Sequence, residues 1–237
     1  MFSDPFGFIA SAFFLIPGVA IAIPAHELAH GFAAYWSGDR SVRNRGFLSL
    51  RDPSRFFTVY GLAMMLFWKV GWGERIPVNE YRQESLVPKL VYALAGPAAN
   101  LLLAVIFGFA SRPLLLYVAP NTLRLSALGY LATILYAAYF ANLAIFAFNL
   151  LPVPGFDGWR VVDALFRRTW PRFFTDVSFR QVQIQQVLIL LLFVAQFFAG
   201  NLLNVLLVPF YAPAATLILG GCSGYYGLVP CLPSAGL

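Results

Sequence analysis

Charged side chains are missing from four stretches of this chain: residues 5–25, 90–111, 125–156 and everything after Arg180. A bilayer core about 30 Å thick is spanned by about 20 consecutive apolar residues in a helix. A soluble domain carries about 25% charged residues, needed to cover its surface. Here 11% are charged, 60% are hydrophobic and the mean hydropathy is +0.74. The chain reads as an integral membrane protein. Its net charge of +6 does not point to nucleic acid, because no basic run is interleaved with aromatic residues. In a membrane chain, basic loops mark the cytoplasmic face.

The first uncharged stretch continues in apolar pattern to Trp36. With Asp4 and no Lys or Arg ahead of it, it does not read as a cleavable signal. After Arg180 the sequence predicts one span around residues 187–207 and a Pro-interrupted segment over 209–219. Residues 56–68, between Arg55 and Lys69, are too few for a comfortable span and suit a re-entrant or interfacial segment. If that segment does not cross, residues 38–55, 69–89 and 160–180 share one side with 14 of the 16 basic residues, leaving only Arg112 and Arg124 opposite. If it crosses, the positive-inside bias disappears. Residues 41–50 and 75–79 have the punctuation of short strands at the cytoplasmic interface. The expected fold is an α-helical polytopic membrane protein of about five to six membrane segments. One of these is short and re-entrant or interfacial, and a small β element lies near the cytoplasmic interface. Cys222 and Cys231 are expected to be inert thiols unless the tail faces an oxidising compartment.

Chemistry enters at Ala25-His26-Glu27-Leu28-Ala29-His30-Gly31. On a helix, positions i and i+4 share a face, so His26 and His30 can hold one zinc ion, with Glu27 beside them to take a proton from water. The pattern arises by chance in about one chain of this size in a hundred. Here it uses the only two histidines present and puts an acid inside an apolar helix. Catalytic zinc takes three protein ligands and leaves one position open. No further His and no suitably placed Cys exists, and Asp157 closes the third uncharged stretch. An ordinary Asp-Gly turn is the plain alternative. Charge balance favours a ligand, because two neutral imidazoles, a carboxylate, Zn²⁺ and hydroxide sum to zero. Asp163 and Asp176 lie among arginines, and Glu74, Glu80 and Glu84 lie in a basic loop, as befits solvated groups.

These residues resemble the site-2 protease family of intramembrane zinc metalloproteases. His26-Glu27-x-x-His30 matches its first motif, and Asn149-x-x-Pro152-x-Pro154-x-x-Asp157-Gly158 matches its second. Gly96-Pro97-Ala98-Ala99-Asn100 is similar to its G-P-x-x-N element. The resemblance implies one zinc on His26, His30 and Asp157, Glu27 as general base, and hydrolysis of transmembrane protein substrates in the bilayer near the cytoplasmic face. Asn100 and Asn149 are candidates for holding the substrate or its oxyanion; helix packing and support of the Pro-broken loop are their plain alternatives. Asn142 suits an interhelical contact.

The expected organisation is a catalytic membrane core over 1–162, a basic cytoplasmic loop over 163–182 and charge-free membrane segments over 183–237. A multi-pass protein of a prokaryotic cell (inner) membrane is expected, with no nucleic-acid partner. Residues 56–68 resemble an insertion, and no PDZ domain separates the motifs. The alternative is a metal-binding transporter or sensor without hydrolysis. Substrate identity and oligomeric state are not readable from the residues.

Overall fold

The computed structural model describes residues 5–68, 73–79, 85–117, 126–199, 202–219, 222–223 and 230–231, and is almost entirely helical. In chain order the helices are α1 (Pro5–Trp36), α2 (Ser41–Asn44), α3 (Val59–Trp68), α4 (Leu86–Tyr117), α5 (Ala127–Asn149), α6 (Asp157–Phe166), α7 (Pro171–Phe179), α8 (Gln181–Ala199) and α9 (Leu202–Leu219). A 3₁₀ turn occupies Pro53–Phe56. Among the described residues, three helical stretches are long and apolar enough to cross a membrane: Ile9–Trp36, Leu86–Leu115 and Ala127–Asn149. Such stretches are helical because only a helix satisfies every backbone donor and acceptor within one segment.

Helix α5 is the centre of the bundle. Its spanning window is 72% buried, against 39% and 33% for α1 and α4, and it packs against both. Helix α9 packs against α4 and α5, and α6 against α4. One polar thread ties the three long helices together. Asn100 Nδ2 on α4 donates to the Ala22 carbonyl of α1 (3.0 Å) and to Asn142 Oδ1 of α5 (3.1 Å). Asn142 thus makes the interhelical contact expected of it.

The expected strands do not form. Residues 41–44 are a helical turn, because Asp39 Oδ1 accepts from both the N–H and the hydroxyl of Ser41 (3.1 and 2.6 Å). Residues 75–79 join no ladder, because their backbone donors go to buried carboxylates. Ile76 N donates to Glu27 Oε2 (3.3 Å), and Asn79 N to Asp39 Oδ2 (2.7 Å). Burial alone would raise the Asp39 carboxyl, but the Asn79 and Ser41 donors hold it below its ordinary value. The described β structure is an isolated bridge between Phe57 and Gly73, and a two-residue ladder pairing Cys222–Ser223 with Pro230–Cys231.

Helix α5 ends at Asn149, before Pro152 and Pro154, at the Pro-broken loop expected there. The span expected over 187–207 is divided between α8 and α9, with Gly200-Asn201 between them in the sequence. Residues 56–68 contribute a 3₁₀ end and the ten-residue α3, whose flanks return to one place through the Phe57–Gly73 bridge. Lys69, Arg82 and Arg124 of the charge count, Glu80 and Glu84, and the first four residues of the signal reading lie outside the described residues.

Candidate metal centre

His26 and His30 lie one turn apart on α1, both buried, with ring centroids 4.7 Å apart. Each Nδ1 has a fixed acceptor on α4. His26 Nδ1 donates to Asn100 Oδ1 (2.6 Å), and His30 Nδ1 to the Tyr92 carbonyl (2.7 Å). The Asn100 oxygen is assigned by its amide nitrogen, which is already donating to two other acceptors. With both Nδ1 atoms protonated, the two Nε2 atoms are bare lone pairs.

Those lone pairs face each other and a carboxylate. His26 Nε2 and His30 Nε2 are 3.1 Å apart, and Asp157 Oδ2 lies 3.0 Å from the first and 3.1 Å from the second. Three acceptors converging in a buried space repel one another unless a cation sits among them. Tetrahedral zinc, with bonds of about 2.0–2.1 Å, sets its donors about 3.3 Å apart. The observed triangle fits a small divalent ion with an open fourth side. Among the described residues this is the one group of His, Cys, Asp or Glu side chains with such geometry.

Asp157 reaches α1 because the chain between α5 and α6 folds back tightly. Val153 N donates to the Leu151 carbonyl (2.8 Å), and Phe156 N to that of Val153 (2.9 Å). Phe156 is buried against Phe148, ring centroids 4.6 Å apart. Asp157 is then the first residue of α6, where the helix N-terminus favours a carboxylate. Gly158 has to be glycine, since a Cβ there would lie 2.6 Å from the Leu151 carbonyl oxygen. Gly96 is equally constrained: a Cβ on it would stand 2.6 Å from His26 Nε2 and against His30 Nε2 as well. The missing methyl group lets α4 approach the Nε2 edge of both rings.

Glu27 is buried and lines the cavity in front of His26, His30 and Asp157. It is anchored through Oε2 by the Ile76 N–H. Asn149 also lines the cavity, but its amide donates back to the Ile145 carbonyl (3.0 Å). Asn100 stands behind His26 with all its hydrogen-bonding atoms engaged. Its geometry is that of a group orienting a ligand, and outer partners of this kind are worth about 10–100-fold in metal affinity. Asn100→Ala is accordingly expected to weaken zinc binding about 10–100-fold in a chelator-competition titration. An unchanged zinc affinity with a reduced turnover would instead make Asn100 a substrate-binding group.

Arg75, Arg160, Tyr92 and Gln185 complete the cavity wall without having been singled out in the sequence. Arg160 lies over the Tyr92 ring, 4.8 Å from its centroid. A backbone carbonyl such as that of Tyr92 leaves no side-chain signature. Arg160 stood in a basic segment that served only for the topology count, and Arg75 also in the 75–79 stretch read as a strand.

The chain matches the family described as Peptidase family M50 over residues 13–119 and 111–194, which contain His26, His30 and Asp157. It is 34% identical over 155 residues to a Bacillus subtilis protein named "Putative zinc metalloprotease YwhC", a match covering 64% of this chain and 68% of that one. It is 30% identical over 198 residues to "Putative zinc metalloprotease Rip2" of Mycobacterium tuberculosis H37Rv, covering 81% and 71%. A Mycolicibacterium smegmatis protein of the latter name is 27% identical over 163 residues, covering 67% and 60%. No solved structure matches the chain significantly.

Proposed function

This chain belongs to peptidase family M50, the site-2 protease family, and on that footing we propose that it is a zinc-dependent endopeptidase cutting transmembrane proteins within the bilayer. The observation that carries the reading is the convergence of His26 Nε2, His30 Nε2 and Asp157 Oδ2 within 3.1 Å, beside the buried acid Glu27. His26, His30 and Asp157 would hold the metal. When bound, zinc supplies a Lewis acid and brings the pKa of water in the site towards about 7. Glu27 takes the proton of that water as its oxygen bonds to the scissile carbonyl carbon, and later returns a proton to the leaving amine. The Ile76 N–H holds the carboxylate in place for both transfers.

The distribution of basic residues supports a reaction near the cytoplasmic side. Helix α3, at about 1.5 Å per residue, is about 15 Å long, half a bilayer core. The bridge between Phe57 and Gly73 supports entry and exit on one face. On that reading 14 of the 16 basic residues lie on the side where α1 and α5 end, and the positive-inside rule favours that side as the cytoplasmic one. Residues 1–162 form the catalytic core, 163–182 a basic cytoplasmic loop and 183–237 further membrane segments of a prokaryotic cell membrane. A helical substrate hides its carbonyls in its own hydrogen bonds, so it unwinds locally before attack.

The test is reconstitution of the full chain in liposomes with a single-span substrate, and mass-spectrometric mapping of the cut. Cleavage within the spanning segment, in its cytoplasmic half, is expected. Cuts confined to loops outside the bilayer would overturn the intramembrane reading.

A further inference from the structure

Hydrolysis puts a negative charge on the scissile carbonyl oxygen, and donors preorganised around that charge are a large part of catalysis. Nearly every donor of this cavity is already spent. The Nδ1 atoms of His26 and His30 are bound to Asn100 and Tyr92. The Asn100 amide is bound to Ala22 and Asn142, the Asn149 amide to Ile145, and the Ile76 N–H to Glu27. Arg160 is engaged over Tyr92.

Two side chains of the wall keep unspent donors, the Gln185 amide and the Arg75 guanidinium, and of the two only Arg75 is charged. Its half-buried side chain lines the cavity, yet it makes no hydrogen bond or ion pair with any described residue. Burial, then the neighbouring Arg160, pull its guanidinium below the ordinary value, while Asp157 and Glu27 push it back up. A cation drawn partly out of water without a partner is costly, and an arriving anion removes that cost. Its position is also well defined. The next residue, Ile76, is buried and bonded to Glu27, Pro77 restricts the backbone, and the Asn79 N–H is bonded to buried Asp39. The backbone that carries Arg75 is therefore held at a set place relative to the proton acceptor.

We propose that Arg75 is a catalytic residue that donates hydrogen bonds to the scissile carbonyl oxygen as it becomes an oxyanion. The oxygen of water bonds to the carbonyl carbon, its proton passes to Glu27, and the carbonyl π pair moves onto oxygen, facing Arg75. Collapse returns that pair, breaks the C–N bond and passes the proton from Glu27 to the amine. Arg75 gains and loses no proton; it matches a charge that exists only between these two events. Every peptide substrate develops this charge, so the role is independent of substrate side chains.

The proposal rests on the hydrolytic reading above, and the experiment separates the two. Purified full-length wild type, Arg75→Lys and Arg75→Gln are compared for zinc content, for kcat and KM on a single-span peptide, and for affinity towards a phosphinic peptide, an anionic tetrahedral mimic. Arg75→Gln is expected to keep its zinc, to lose about 10²-fold in kcat and to keep KM within about threefold. Its phosphinic-peptide affinity should fall by the same factor as kcat/KM, and Arg75→Lys should recover part of both. Wild-type kcat in Arg75→Gln overturns the assignment. So does a loss confined to substrates with an acidic residue beside the cut, which makes Arg75 a side-chain reader. A loss of zinc in both variants makes it structural. A wild-type chain that hydrolyses no spanning peptide overturns the hydrolytic reading itself, and the oxyanion role with it.

Discussion

Asp157→Ala is expected to empty the centre of zinc and abolish hydrolysis in one step. Two imidazoles on one helix supply two ligands, and a catalytic zinc site requires three. The third donor comes from the far side of the bundle, 127 residues later in the chain than His30, with Oδ2 within 3.1 Å of both Nε2 atoms. No other described His, Cys, Asp or Glu offers a substitute at that position. Removing the carboxylate also removes a desolvated charge, so the fold is expected to survive the change. Purified protein dialysed against a mild chelator should fall from about one zinc per chain to nearly none, with circular dichroism unchanged. An Asp157 that only shaped an Asp-Gly turn would leave the zinc content at its wild-type value.

Legibility in the sequence followed the range of the interactions involved. The His pair was readable because helical spacing alone puts positions 26 and 30 on one face, and the long helices because uncharged runs of spanning length have few other solutions. The limited reach of residues 56–68 was readable from length. The segments misread as strands were decided by bonds from the backbone to carboxylates, one local and two distant. Ser41 turns into a helix on Asp39, two residues away, and residues 75–79 spend their donors on Glu27 and Asp39, 49 and 40 residues away. No periodicity within a short window records such a bond. The same holds for Gly96, whose missing side chain matters only because α4 crosses α1 at the two imidazoles. Asn100 stood out as a polar residue in an apolar helix. Which of its neighbours it serves is a matter of helix packing, and it faces His26 Nδ1.

Glu27→Gln separates metal binding from chemistry more cleanly than any other substitution here. Gln has the shape of Glu and an oxygen that can still accept the Ile76 N–H, so the wall of the cavity and the three metal donors stay as they are. What it cannot do is take a proton from water. Positioned general bases contribute about 10²–10⁴-fold, and the loss should be of that size in kcat rather than in KM. The deciding measurement is therefore zinc stoichiometry and initial rate of cleavage of a single-span peptide, taken on the same preparations of wild type and Glu27→Gln. One zinc per chain in both, with the rate of Glu27→Gln lower by at least about 10²-fold, is the predicted result. A Glu27→Gln chain that keeps its zinc and cleaves at the wild-type rate would contradict the account at its centre.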